Sequence, residues 1–349
     1  MNIGFYSPYL DTLGGGERYT LTLASHWSKY HNVSVFWDQN DILNKAHKRL
    51  NIDLSRIKVT QNIFRERNVF KKLFLTRQYD LIFFLSDGSI PSTLAKYNIL
   101  HFQMPFEKVP YSAVKLPRYQ AIVCNSQFTK DALDARIGNR AVVIYPPVAS
   151  IDGSRTKKEK IILSVGRFSG FHAAKKQHIL LEAFAKGVKA KRFTGWKLIL
   201  VGGLLPSDEE YFVTLKRLEG GLPVELLPNA AHDVLMDYYK RASLYWHAAG
   251  YGETDARWME HFGITTVEAM SAGAVPVVFA GGGQQEIVEE GISGYLWHTV
   301  DELIERTTEM MRDTRVREAI GAQAQKRALT FHESKFTQGF DDLLMNITG

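Results

Sequence analysis

The sequence predicts an α/β protein made of two Rossmann-like parallel-sheet halves, and three observations carry that prediction. Short apolar runs alternate with amphipathic segments along the whole chain, which is the pattern of strands and crossover helices in parallel sheets. At 349 residues the chain exceeds the usual size of a single core. A polar, charged stretch at 149–160, interrupted only by Ile151, separates two such series.

In the first series the expected strands are 3–6, 33–37, 81–85, 99–102, 121–124 and 142–145, the last stopped by Pro146-Pro147. The second series gives 161–165, 198–201, 224–227, 244–247, 275–279 and 295–297. The expected domains are therefore 1–150 and 151–330, facing a central cleft, with 331–349 as a final amphipathic helix. The helix expected over 301–329 is long and broken.

Composition narrows the class. With 45% hydrophobic and 23% charged residues the chain is ordinary for a globular protein, and no uncharged apolar run is long enough to span a bilayer. The start, Met1-Asn2-Ile3-Gly4-Phe5-Tyr6, has no basic region before its apolar run and reads as a buried strand rather than a signal peptide. The single cysteine, Cys124, excludes an internal disulfide, and nothing near it in sequence would make it a thiolate. A cytoplasmic enzyme is the expectation. The net charge of +6 and pI near 9.1 allow contact with membranes or polyanions. Nucleic acid is not an expected partner, because no recognition-helix, zinc-finger or stacking-sheet signature is present.

The most informative segment is 260–268. It puts Glu260 in a glycine-bearing loop and Glu268 just inside a helix, so both can face a ligand lying across the helix amino end, where N–H groups favour anions. A sugar diphosphate has the matching chemistry. The alternative is a capping box between Thr265 and Glu268, with no ligand involved. Against it, Glu260 has no capping role. The run from Tyr245 to His247 reads as a buried strand leading into the small-residue loop Ala248-Ala249-Gly250, where open α/β sheets place ligands. Gly281-Gly282-Gly283 then opens a second helix after the next strand, so two helix amino ends converge.

A departing diphosphate needs positive charge nearby. The sequence has no Asp-any-Asp pair and no zinc spacing among its histidines, so no metal is expected. Arg167, directly after the first strand of the second half, and Lys175, just before the helix 177–186, are the candidate cations. Lys176 competes with Lys175, and a solvated Lys-Lys pair is the alternative to both.

The chain resembles the retaining glycosyltransferases of family 4, of GT-B architecture, over nearly its whole length. The resemblance rests on Glu260 and Glu268 separated by seven residues within Glu-His-Phe-Gly and Glu-Ala-Met, on Gly14-Gly15-Gly16-Glu17-Arg18, on Val123-Cys124-Asn125-Ser126, and on Val165-Gly166-Arg167 with Lys175. It implies transfer of a hexose from a nucleoside-diphosphate sugar to an acceptor hydroxyl with the anomeric configuration kept, without a metal, the leaving phosphate oxygen helping to deprotonate the acceptor. By the same resemblance Glu260 holds donor sugar hydroxyls near the reacting face, Glu268 holds the ribose, and the N–H groups of Gly263, Ile264 and Thr265 reach the diphosphate. His101 is implied on the first-domain wall of the cleft. His247 orients Glu260 or fills the floor. Gly15 and Gly16 admit phosphate or acceptor, or only make a tight turn; Gly283 permits close approach, and Glu286 is a sugar contact or a first-turn helix acid. The arrangement His247-Ala248-Ala249-Gly250 with an acidic loop and Glu-His-Phe-Gly is similar to family members using GDP-mannose, with a UDP-sugar as the other candidate donor. The last helix is implied to pack back on the first domain. The loop 168–174 and the approach 251–259 are longer than the common family pattern. The alternatives to a transferase are a glycoside hydrolase and a non-catalytic nucleotide-sugar-binding protein.

The acceptor, a saccharide or a lipid-linked saccharide in polysaccharide, glycolipid or glycoconjugate synthesis, is less defined. The stretch 63–77 combines five cations, one acid and seven apolar residues, with Phe70, Leu73 and Phe74 on one helical face. The expectation is a helix that packs its aromatics inward; the alternative is peripheral contact with the inner face of an anionic membrane.

Overall fold

In the computed structural model, residues 1–110, 112–170 and 175–349 are described, and they form two compact units. Unit 1 comprises Met1–Pro147 and Glu333–Gly349; unit 2 is Val148–His332.

Unit 1 runs β1 (Asn2–Tyr6), α1 (Gly15–Trp27), β2 (Asn32–Phe36), α2 (Ile42–Leu50), β3 (Lys58–Thr60), α3 (Val69–Thr76), β4 (Leu81–Leu85), β5 (Tyr97–Phe102), β6 (Ala121–Cys124), α4 (Gln127–Asp131), α5 (Ala135–Gly138) and β7 (Ala141–Val143). The seven strands pair in parallel in the order β3-β2-β1-β4-β5-β6-β7. Successive side chains in a strand point to opposite faces. Leu81 and Phe83 of β4 therefore enter one core layer with Ile3, Phe5 and Trp27, while Ile82 and Phe84 enter another with Phe36, Leu100 and Phe102. That is why the strand reads as a continuous apolar run. Cys124 is buried, and burial pushes its thiol up to about 12, which removes it as a nucleophile. The reading of the sequence missed β3: a three-residue edge strand with one apolar residue carries no periodic signal.

Unit 2 runs β8 (Glu159–Val165), α6 (Gln177–Lys189), β9 (Lys197–Gly202), α7 (Glu209–Glu219), β10 (Val224–Pro228), α8 (His232–Arg241), β11 (Ala242–His247), α9 (Ile264–Ser271), β12 (Val275–Phe279), α10 (Gln284–Ile287), β13 (Tyr295–Trp297), α11 (Val300–Arg312) and α12 (Thr314–Ala328). Its six parallel strands are ordered β10-β9-β8-β11-β12-β13. The chain thus winds outward in one direction from β8 and in the other from β11. The expected long helix is broken at Asp313, whose backbone leaves the helical region and whose carboxylate accepts from the N–H groups of Arg315 and Val316 to start α12.

The stretch expected as a linker is packed into unit 2. Ile151 is buried and its N–H donates to Ser271 Oγ at 3.0 Å, while Lys158 Nζ donates to the Ala272 carbonyl at 2.6 Å. The last helix, α13 (Glu333–Thr348), belongs to unit 1. Phe336, Phe340 and Leu344, four residues apart, bury one stripe in the layer of Tyr19, Trp27 and Phe83, and Asp341 accepts from Trp27 Nε1 at 3.0 Å.

Candidate active site

Strands β8 and β11 are neighbours at the centre of the second sheet, and their continuations go to opposite sides of it. In open α/β sheets the crevice beyond the carboxyl ends of such a strand pair takes the ligand. Val165 is followed there by Gly166 and Arg167, and β11 ends at His247.

Three side chains meet at this point. Lys175 Nζ donates to Glu260 Oε2 at 2.6 Å, and His247 Nε2 stands 2.8 Å from the same oxygen. The Glu260 side chain is 15% exposed and that of His247 3%. Burial would raise the Glu260 carboxyl, but the Lys175 ammonium and the His247 hydrogen bond outweigh it and hold the group well below the usual carboxylate range. Burial lowers His247, against the pull of Glu260. A neutral imidazole must then donate from Nε2, which leaves Nδ1 an acceptor with no partner among the described residues. Glu260 Oε1 likewise accepts no hydrogen bond from them. Among the described residues the cluster is an ionised carboxylate with one oxygen held and one available.

Gly166 makes the ion pair possible. A Cβ there would lie 2.8 Å from Lys175 Cγ, so only glycine lets the lysine stem cross the strand end. Lys176, beside it at φ 52°, turns away and pairs with Glu253 at 2.5 Å. The two lysines thus go to separate acids, with side chains 30% and 14% exposed, and do not form a solvated pair. Arg167 is exposed, with no hydrogen bond or ion pair from its guanidinium to the described residues. Of the loop 168–174 between these cations, residues 171–174 lie outside the described residues.

Helix α9 begins at Gly263, not at a Thr265–Glu268 capping box. Gly263 has φ 124° and no side-chain cap is present; Thr265 Oγ1 instead accepts from Tyr245 at 2.8 Å, and Glu268 Oε2 from Tyr239 at 2.8 Å. Among the described residues the N–H groups of Gly263, Ile264 and Thr265 find no backbone partner, so the positive end of the helix is left open by them. Beside it lies Gln284, wholly buried, with neither amide atom hydrogen-bonded among the described residues and Nε2 2.6 Å from where a Gly263 Cβ would stand.

The close approach that Gly282 and Gly283 permit is to the chain itself. Their Cβ atoms would stand 2.1 Å from the Glu260 carbonyl and 2.6 Å from Phe262 Cα, and Gly283 N–H is spent on the Glu260 carbonyl at 2.7 Å. These glycines clamp the loop that carries Glu260. Glu286 is partly buried in the first turn of α10, where its carbonyl accepts from Arg327 at 2.6 Å.

The remaining expected residues lie in unit 1. Gly15 is exposed at the start of α1, and Gly16 leaves room for Gln103, whose Nε2 donates to the Gly16 carbonyl at 3.2 Å. The carboxylate of Glu17 already accepts from Gly14 N–H at 2.8 Å and from Thr12 at 2.7 Å, so this helix end holds an anion of its own. His101 is fully buried, stacked on Tyr19 with ring centroids 4.0 Å apart, its Nδ1 3.1 Å from the Val123 carbonyl. Burial pushes it down to about 3, so it is neutral, and Nε2 has no partner among the described residues.

Among the described residues no three His, Cys, Asp or Glu side chains converge to hold a metal ion, and no helix is long and apolar enough to cross a membrane. The sequence reading missed Glu253, Tyr239, Tyr245 and Gln284 as members of the site. Glu253 alone had a signal, an acid in the loop that leads to Glu260.

The family described as glycosyl transferases group 1 matches residues 150–327, just over half of the chain, and the chain belongs to that family. It is 32% identical over 200 residues to the GDP-Man:Man(3)GlcNAc(2)-PP-Dol alpha-1,2-mannosyltransferase of Xenopus laevis, a match that covers 52% of this chain and 39% of that protein. The chain thus spans less than half the length of the curated mannosyltransferases it matches. Among solved structures, HepE of Anabaena in complex with UDP and glucose is 20% identical with a TM-score of 0.70, covering 99% of this chain and all of that one. A glycosyltransferase from Rickettsia africae is 15% identical with a TM-score of 0.76, covering 99% of this chain and 98% of that one. At such identities the likeness is one of fold, and the fold class is the expected GT-B class of two Rossmann-like parallel-sheet domains.

Proposed function

We propose that the chain is a retaining, metal-independent glycosyltransferase that moves a hexose, mannose in the first instance, from a nucleoside-diphosphate sugar to an acceptor hydroxyl. The observation that carries this reading is the Lys175–Glu260–His247 cluster beside the open amino end of α9. An ionised carboxylate with a free oxygen grips sugar hydroxyls, because it offers acceptors only. The helix N–H groups, Lys175 and the exposed Arg167 supply positive charge for a leaving diphosphate, and removing one such group costs about 10²–10³ in rate in comparable sites. Glu268, steadied by Tyr239, suits the ribose hydroxyls. Gly283 contributes indirectly in this scheme by clamping the loop that carries Glu260, and Lys176 by its ion pair with Glu253. A glycoside hydrolase would leave Arg167 and Lys175 with no anionic leaving group to stabilise.

GDP-mannose is the favoured donor, since the similar mannosyltransferases are named for GDP-Man; a UDP-sugar is the alternative. The acceptor is a saccharide or lipid-linked saccharide, met on the cytoplasmic side. The test is thermal stabilisation of the purified chain by GDP, UDP, ADP and dTDP, followed by the anomeric configuration of the product by NMR. GDP at about 100 times its Kd adds roughly 2.7 kcal/mol, and the product keeps the donor's α configuration. Stabilisation by no nucleotide, or turnover of a plain oligosaccharide without nucleotide, overturns the reading.

A further inference from the structure

Helix α3 turns its aromatics outward, against the expectation that they pack inward. Phe70 is 85% and Phe74 73% exposed, one helical turn apart, and Val69 is 54% exposed. The opposite face holds the helix down: Leu75 packs against the core of Phe36 and Phe84, and Thr76 Oγ1 accepts from Leu94 N–H at 2.9 Å. Apolar residues exposed singly are ordinary, but two phenylalanines aligned at i and i+4 form a patch.

The charge around them is predominantly positive. Of the five cations between 63 and 77, Arg65 pairs with Asp38 and Lys71 with Glu66; Arg67, Lys72 and Arg77 make no ion pair among the described residues. We infer that this face of α3 docks on an anionic lipid bilayer, with Phe70 and Phe74 entering the boundary between headgroups and acyl chains and the exposed Arg67 and Arg77 meeting lipid phosphates. The size of the patch selects this occupant. Two phenylalanines offer about 150–250 Å² each, short of the roughly 800 Å² per partner of a stable protein interface. Interfacial docking needs no more than a few inserted apolar side chains backed by cations. The contact is peripheral in kind and rests on exposure and charge, independently of the sugar-transfer reading.

The experiment is co-sedimentation of the full chain with vesicles of phosphatidylcholine alone and of phosphatidylcholine mixed with phosphatidylglycerol. The chain is expected on the anionic vesicles only, less so as salt rises. Phe70→Ser with Phe74→Ser lowers partition at least about tenfold, and Arg67→Ala or Arg77→Ala about fivefold each. Phe74→Cys, labelled with an environment-sensitive dye while the native Cys124 stays buried, shifts to the blue on the same vesicles. Circular dichroism melts of the variants match the parent, since the replaced side chains are exposed. Equal binding to both kinds of vesicle, unchanged binding of the double phenylalanine variant, or loss in that variant of self-association rather than of vesicle binding overturns the inference. Nucleotide sugar takes no part, so failure here leaves the donor reading standing.

Discussion

Lys175 and Glu260, 85 residues apart in sequence, are joined by a 2.6 Å ion pair from Nζ to Oε2, and the pair sets the protonation state of the carboxylate. Without the ammonium, burial acts on Glu260 with less opposition. Lys175→Met keeps most of the stem and removes the charge. The Glu260 pKa then rises, and kcat/KM falls away on the acid side at a higher pH than in the parent, because turnover needs the ionised form. Turnover at neutral pH falls about 10²–10³-fold. A pH–rate profile of donor turnover checks both; an acid limb that stays in place removes Lys175 from this role.

Gly166 gives a test that touches no charged group. A Cβ there meets the Lys175 stem at 2.8 Å, and φ at this position is not left-handed, so alanine fits the backbone and displaces only the lysine. Gly166→Ala is expected to lower turnover about tenfold or more, in the range for a modest misplacement of a catalytic group, while the far-ultraviolet spectrum stays the same. Parent-like turnover would show that the placement of Lys175 is immaterial.

The parallel sheets were legible because continuous apolar runs such as Leu81 to Leu85 mark strands buried on both faces. The carboxylates and the cations were legible by residue type and local spacing. Their pairing was not, since nothing local joins Lys175 to Glu260, and the φ of 52° at Lys176 sends the two lysines to different acids. Periodicity revealed a stripe on α3 but not which side faced the core, which Leu75 and Thr76 on the other side hold instead. The Thr265–Glu268 spacing suggested a cap, but Gly263 starts the helix and both side chains take tyrosine partners.

Buried neutral histidines make the fold acid-sensitive. Burial lowers His101 to about 3 and also lowers His247 and His261. In the unfolded chain each binds a proton near 6.5, so the unfolded state takes up more protons as pH falls. The stability tied to these groups is complete above that value and is lost progressively below it. For His101 alone the loss at about pH 5.5 is roughly 1.4 kcal/mol. The loss tied to the carboxylate of Glu260 starts lower, below its ordinary value of 4.5. Urea unfolding at about pH 7.5 and pH 5.5 should show the parent losing more stability than His101→Gln over that interval. Equal losses would mean that His101 takes up its proton in the folded protein.

Tyr239 tests how Glu268 is used. The tyrosine is wholly buried on α8, and its hydroxyl donates to Glu268 Oε2 at 2.8 Å. That bond fixes the orientation of one carboxylate oxygen. Tyr239→Phe removes the hydroxyl alone and keeps the ring in its packing, so the fold should change little. A hydrogen bond to a charged group is worth about 1.5–3 kcal/mol, but bulk water can reach the partly exposed Glu268 and recover part of it. Nucleoside-diphosphate affinity is therefore expected to fall about three- to tenfold, with turnover at saturating donor nearly unchanged, because the ribose is remote from the reacting bond. Titration calorimetry with GDP and with its 2′,3′-dideoxy analogue separates the cases. If Glu268 holds the ribose, the variant weakens GDP binding and leaves the already weak binding of the analogue where it was; equal weakening of both would assign Tyr239 and Glu268 to packing alone.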